Sequence, residues 1–382
     1  MKNTVKKLGV LFMAVSIFSA CSKDDSPAIA SSSFVLKAND FQGKITDGDV
    51  TLDPAVVYKL TGSLTIEDGA KLIIPAGTVI EGTVGTSYIA VAQGGKIFVN
   101  GTAQKPVVMT SGAAMKAPGQ WGGLVICGKA PINKGVTASA EVSELTYGGT
   151  NSDDNSGSIS YLRIEYSGYA YNSEKEFNGL SLFGVGKGTT IEYVQVYQGA
   201  DDGFEFFGGT VDTRYLVSTS NEDDQFDWTE GWNGTNEFWF GKLGLGRGNR
   251  GIEADNNSNN HLAQPTSNPQ IKNLTLIGLG DQGTESQAIK LRVGTKGIFE
   301  NVVLSNFVTG IDIQHSEGIG YVASQEIKIT NVRFLNVTSK AKGKDTAGAT
   351  ADVNSVFIES ATATGAGDGE NMPSWAASWT RL

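Results

Sequence analysis

The hexapeptide Asp201-Asp202-Gly203-Phe204-Glu205-Phe206 is echoed by Asp223-Asp224-Gln225-Phe226-Asp227-Trp228, with a period of 22 residues. One turn of a parallel β-helix takes roughly 20–30 residues, so an echo of this length predicts two stacked rungs with acids at matched places. Four further segments align at the same strand position: Gly179-Leu180-Ser181-Leu182, Gly251-Ile252-Glu253-Ala254, Ala288-Ile289-Lys290-Leu291 and Gly310-Ile311-Asp312-Ile313. With the two echoed strands they start at 179, 203, 225, 251, 288 and 310, steps of 24, 22, 26, 37 and 22. Companion strands are predicted between them at 190–197, 211–218, 236–243, 270–277, 297–304 and 326–337. Earlier rungs read at 64–66, 71–74, 79–81, 88–91, 96–99 and 107–110, rich in β-branched residues and bounded by Gly, Asn, Asp and Thr. A β-sandwich also has many short strands, but steady rung spacing favours a solenoid. The fold expected is therefore all-β, a right-handed parallel β-helix over 51–339 followed by a C-terminal cap over 340–382. Trp375 and Trp379, four residues apart, suggest a short helix in that cap, with a docking tail as the alternative.

The first twenty residues read as a signal peptide: Lys2, Lys6 and Lys7 precede an apolar run from Leu8 to Ile17, and Phe18-Ser19-Ala20-Cys21 closes it. This resembles the bacterial lipoprotein signal, which implies cleavage before Cys21 and acylation of its thiol, palmitate included. Acyl chains contribute about 0.8 kcal/mol per buried CH₂, so two or three anchor stably. Ser22-Lys23-Asp24-Asp25 resembles the acidic surface-export signal of lipoproteins from Bacteroidetes-type bacteria, and 21–50 reads as tether and approach to the coil. The expected address is the outer membrane, facing the cell exterior. Removing the three signal lysines from a net charge of −10 leaves about −13, which argues against nucleic acid or a bare anionic membrane surface as partner. The other cysteine, Cys127, has no partner for a disulfide once Cys21 is acylated.

Gly94-Gly95-Lys96-Ile97-Phe98-Val99-Asn100-Gly101-Thr102, Pro106-Val107-Val108-Met109-Thr110-Ser111 and Trp121-Gly122-Gly123-Leu124-Val125-Ile126 resemble the opening of extracellular right-handed parallel β-helix proteins of Gram-negative bacteria. The resemblance extends over 55–360 and implies fold more than activity.

Alternation along each aligned strand turns Leu180, Leu182, Phe204, Phe206, Phe226, Trp228, Ile252, Ala254, Ile289, Leu291, Ile311 and Ile313 inward. One outward column then reads Ser181, Glu205, Asp227, Glu253, Lys290, Asp312. The next reads Phe183, Phe207, Thr229, Asp255, Arg292, Gln314. Rungs lie about 4.8 Å apart, so three stacked carboxylates repel by about 1–4 kcal/mol per pair at surface dielectric. Raised carboxyl pKa values, a bound cation or neighbouring basic groups would each relieve this. Asp201, Asp202, Glu205, Asp223, Asp224, Asp227 and Glu253 are candidate oxygen ligands for calcium, with Asn256 and Asn257 as possible amide contributors. The plainer alternative is an acidic ladder neutralised by Arg214, Arg250, Lys290 and Arg292, its aspartates serving as turn formers.

Aromatics around the acids, Phe207 and Trp232 foremost, with Phe183, Phe238, Trp239, Phe240, Trp121 and Tyr197, could stack sugar rings while Glu205, Asp227, Glu253, Asp255 and Arg292 bind hydroxyls. Core packing is the alternative, and the expected place for Trp228. A glycan or an outer-membrane protein partner is thus the ligand class expected. An enzyme alternative takes Lys290 and Arg292 as base and carboxylate-neutralising group, as in some β-helix polysaccharide lyases, or Asp202 and Asp227 as a two-carboxylate hydrolase pair. The chain's two histidines, His261 and His315, lack the neighbours that β-helix glycoside hydrolases place around theirs. A structural or adhesion protein of the envelope is a third class. Insertions at 133–157, 256–268 and 318–324 leave the coil where binding surfaces are often built. The run Gly244-Leu245-Gly246-Arg247-Gly248 has no strand–helix context for phosphate and reads as a turn.

Overall fold

Parallel strands stacked in register build this chain, and the sequence period sets the stack. The computed structural model describes residues 31–172, 175–244, 248–283 and 285–381. The signal peptide, Cys21 and the middle of the 244–248 run lie outside them. The chain forms a right-handed parallel β-helix. Its first sheet runs through Gly43–Ile45, Ser63–Ile66, Tyr88–Val91, Leu124–Cys127, Leu180–Phe183, Phe204–Phe207, Phe226–Thr229, Ile252–Ala254, Gln287–Leu291, Thr309–Gln314 and Ser339–Lys344, and closes antiparallel on Thr350–Ala351. The coil thus starts at Gly43 rather than at 51, and its last strand is Phe357–Glu359, beyond 339.

The expected alignment is the observed register. Ser181, Glu205, Asp227, Glu253, Lys290 and Asp312 pair in succession down the first sheet. The inward set from Leu180 to Ile313 is at most 1% exposed. Each fully buried aliphatic or aromatic side chain contributes about 1.5–3 kcal/mol relative to exposure. The stack therefore stabilises each rung only against its neighbours.

The second sheet turns a corner at one place on each rung from Gly157–Glu165 to Ile327–Leu335. Tyr161, Tyr193, Tyr215, Phe238, Asn273, Asn301 and Asn331 all have φ between 52° and 59°. Asparagine tolerates this left-handed conformation, whereas tyrosine and phenylalanine rarely adopt it. The first four compensate by stacking, with ring centroids 4.3, 4.4 and 4.9 Å apart. Asn301 donates to Asn273 at 2.8 Å and Asn331 to Asn301 at 3.3 Å.

The C-terminal segment differs from the expected helical cap. Residues 373–380 form turns, and the chain beyond Glu359 returns along the outside of the second sheet. Trp375 meets Tyr215 edge-on at 5.1 Å, and Trp379 meets Tyr161 and Tyr193 at 5.8 and 6.2 Å. The Arg381 backbone N–H donates to Gln195 at 2.7 Å, and its guanidinium lies 3.3 Å from the buried Glu165 carboxylate. The tryptophan spacing serves two steps of the tyrosine ladder, whose ring edges need cover. Val322, Val353 and Val356 instead close the last rungs of the core.

Candidate functional site

Sheet pleat places the acids outward, and turns ahead of each strand add more. Ligand atoms of Asp201, Asp202 and Asp223 lie within 4.8 Å of one another, as do those of Asp202, Glu205 and Asp227, and those of Asp224, Asp227 and Glu253. All seven candidate cation ligands are thus drawn into three overlapping groups. Asp202 Oδ1 accepts the Asp224 N–H at 2.8 Å, which ties one acidic turn to the next. Glu205 accepts from Asn178 Nδ2 at 2.5 Å. Asp224 Oδ1 is buried without a donor.

Burial of these acids, reinforced by their mutual charge, pushes the carboxyls of Asp202, Glu205, Asp224 and Asp227 well above the usual range. Asp201 is pushed up to about 8, by burial first and then by the charge of Asp223. Two loop residues deepen the field. Glu141, itself raised by burial, acts on Glu205 and Asp201, and Glu176 acts on Asp201. Sequence alternation could not find them, because neither sits on a rung strand; their only signal is that their loops leave the coil beside the acidic turns.

The downstream rungs are neutralised. Arg250 lies 3.3 Å from Asp224, 2.6 Å from Glu253 and against Glu285. Arg292 forks onto Asp255 at 2.8 and 2.9 Å and also meets Glu253. Lys290 lies 3.2 Å from Glu285 and 3.8 Å from Glu253. Lys290 and Arg292 are therefore held in ion pairs rather than poised as base and carboxylate clamp. Glu253 is raised by burial, an effect these cations moderate. Arg214 belongs to the other sheet, 3.3 Å from Glu192, and neutralises none of this column. The Asn256 and Asn257 amide oxygens are also committed elsewhere: Asn256 accepts from Asn133 and Ser267, and Asn257 from backbone N–H groups of its own loop. Asp201, Asp202, Glu205 and Asp227 have no ion-pair partner among the described residues.

The aromatic platform is not present. Trp232 is fully buried, stacked 3.9 Å from Phe206 and parallel to Trp239. The left-handed Gly231 ahead of it, φ 89°, turns the chain inward. Phe207 faces outward as expected but is only 6% exposed, stacked 4.0 Å from Phe183. The 133–157 insertion covers this pair with Val142 and Tyr147, whose hydroxyl donates to Glu230. Trp121, Trp239 and Phe240 are buried too, and Trp228 is core, its indole N–H donating to Thr295 at 3.0 Å. The 256–268 insertion docks on the first through Asn133, which donates to Asn256 Oδ1 at 2.8 Å. The 318–324 segment is taken up by the helix His315–Ala323 and its C-cap Ser324.

The coiled parallel sheet that carries these carboxylates has a counterpart among known families. The profile of the pectate-lyase like β-helix domain matches residues 43–380. The chain belongs to that family. A pectate-lyase like β-helix domain thus accounts for the strands from Gly43 and for the returning tail alike. No curated protein matches the sequence. Among solved structures, the enzymatically active domain of bacteriophage CBA120 tailspike protein 2 is similar over 78% of this chain, at 12% identity and a TM-score of 0.27. The match spans 42% of the tailspike chain, less than half its length.

Proposed function

We propose that this pectate-lyase like β-helix domain is a lipid-anchored, cell-surface glycan-binding protein. Its acidic face seats calcium among Asp202, Glu205 and Asp227, and the ion mediates contact with the polysaccharide. One observation carries the reading: these carboxylates are held together without a basic partner among the described residues, whereas Glu253 and Asp255 on the next rung downstream are ion-paired. Calcium bonds oxygen at about 2.3–2.6 Å, so two ligands of one ion lie at most about 5 Å apart. The 4.8 Å grouping falls inside that limit. Without a cation the face carries acids that burial and their neighbours hold above the usual carboxyl range, and it offers a carboxylated polymer no positive charge. With one it offers open coordination positions to sugar hydroxyls and carboxylates. The family's name supports polysaccharide as the ligand class. Anchoring through Cys21 rests on the leader sequence.

The test is retention on immobilised polysaccharides with and without calcium, for the native protein and Asp227→Asn. Calcium-dependent retention that Asp227→Asn loses supports the reading; retention indifferent to both ends it. Membrane fractionation of Cys21→Ser checks the anchor, which is refuted if the variant stays membrane-bound.

A hydrolase reading draws on a separate observation. A carboxyl raised to about 8 stays protonated at neutral pH and can donate to a leaving group. New reducing ends in the same polysaccharide panel, abolished by Asp201→Asn, would establish it; unsaturated products would establish a lyase instead.

A further inference from the structure

Three segments meet where the 256–268 insertion comes down on the coil: the insertion, the turn after the strand Gln287–Leu291, and the start of the helix His315–Ala323. The His261 carbonyl lies so close to Gly294 that a side chain on that glycine would have no room. The rings of His261 and His315 meet edge to face, centroids 4.8 Å apart, and His261 Nδ1 lies 3.2 Å from a Glu317 carboxylate oxygen. These are the chain's two histidines, far apart in sequence and packed against each other.

One hydrogen bond sets the chemistry: His315 Nδ1 accepts the Val293 N–H at 3.0 Å. A backbone N–H can only donate, so Nδ1 keeps its lone pair and the neutral ring carries its proton on Nε2. The bond joins two left-handed residues, Val293 at φ 36° and His315 at φ 71°. A β-branched residue holds that conformation only where its surroundings fix it. Protonation of His315 places a second N–H opposite the Val293 N–H, and the acceptor is gone. Burial first, and then the charge of His261, hold the His315 imidazole below its ordinary range. Arg292 opposes the proton as well, whereas Glu317 and Asp255 favour it. A further cation, Lys344, stands in register with Gln314, the residue before His315. The base of the insertion is held differently, by the Asn133 amide, which donates to Asn256 Oδ1 at 2.8 Å and to the Pro265 carbonyl at 3.1 Å. None of those groups titrates near neutral pH. At the apex, beside the exposed Leu262, His261 makes the contacts with the turn and the helix.

We propose that His261 and His315 form an acid-sensitive clasp, which holds the apex of the 256–268 insertion on the coil at neutral pH and releases it when His315 takes a proton. The clasp shares no residue with the calcium-dependent face and stands whether or not that face binds an ion. A metal bound at His315 Nε2 would need the ring's proton on Nδ1, against the Val293 N–H, so the pair suits protons rather than a metal. An imidazole free in water titrates at 6.5, and the folded ring takes its proton at lower pH. The clasp is therefore complete above about 6.5 and is lost as pH falls from there through the lower folded value.

Amide exchange of the full chain at pH 7.5 and pH 5, each corrected for its intrinsic rate, tests the proposal. Protection of the Val293 amide and of the apex, 258–263, is expected to fall about ten-fold or more at pH 5, while Asn256 and Ser267 keep theirs. His315→Asn supplies an acceptor that does not titrate and tolerates the left-handed backbone, so its Val293 amide should be protected alike at both pH values. If that variant does not fold, nitrogen-15 spectra of the native imidazoles decide: neutral His315 is expected as the Nε2–H tautomer, titrating below 6.5. The proposal is overturned if Val293 is equally protected at both pH values in the native protein, if His315→Asn opens in acid as the native protein does, or if neutral His315 carries its proton on Nδ1.

Discussion

Two halves of one outward column behave oppositely. At Glu205 and Asp227 the carboxylates stack with only each other and the acidic turns for company. At Glu253 and Asp255, one rung on, Arg250, Lys290 and Arg292 surround them. Backbone, register and pleat are the same in both halves. The difference lies in which residue the next rung supplies, so a solenoid sets charge balance rung by rung. The paired half is a structural ion-pair network. The unpaired half stores like-charge repulsion that protons or a cation must relieve.

Breaking the paired half should have the largest effect. Arg292→Ala leaves Glu253 and Asp255 buried beside each other, and the expected loss is about 3–5 kcal/mol in denaturant unfolding. If the loss is below about 1 kcal/mol, the pairing is no more than a surface contact. The opposite sign is expected in the other half. Glu205→Gln keeps an oxygen for Asn178 and removes a carboxyl whose ionisation burial and its acidic neighbours oppose, so in calcium-free buffer at pH 8 it should stabilise by about 1 kcal/mol. Destabilisation there would erase the contrast.

The smallest expected effect is in the pH dependence. Asp201 holds its proton in the folded state up to about 8, whereas an aspartate free in water titrates at 3.8. Its contribution is complete below about 4 and is lost as pH rises through about 8. In chelated buffer the melting temperature should therefore fall between pH 5 and pH 8. Asp201→Asn should flatten part of that fall. A slope unchanged by the substitution would remove Asp201 from the cluster.

The scaffold was legible because each rung repeats one inward–outward pattern, and the echo at Asp201 and Asp223 set its register. Alternation also placed the acids correctly. It could not say whether an outward side chain stays open. Phe207 faces out, yet an insertion more than fifty residues upstream covers it. Trp232 lies past the strand, where Gly231 and not the pleat decides direction. Glu141 and Glu176 join the site from irregular loops, whose paths follow from docking rather than period. The tail was misread for a similar reason. A spacing of four suggests a helix, but here it matches successive rungs of a tyrosine ladder whose left-handed backbone no local pattern announces.

Calcium titration by calorimetry, comparing the native protein with Asp227→Asn, tests the central claim most directly. Saturable binding by the native protein, absent or at least about ten-fold weaker in the variant, is the expected result. Equal heats from the two proteins, or none from either, would contradict a cation site on the unpaired rungs.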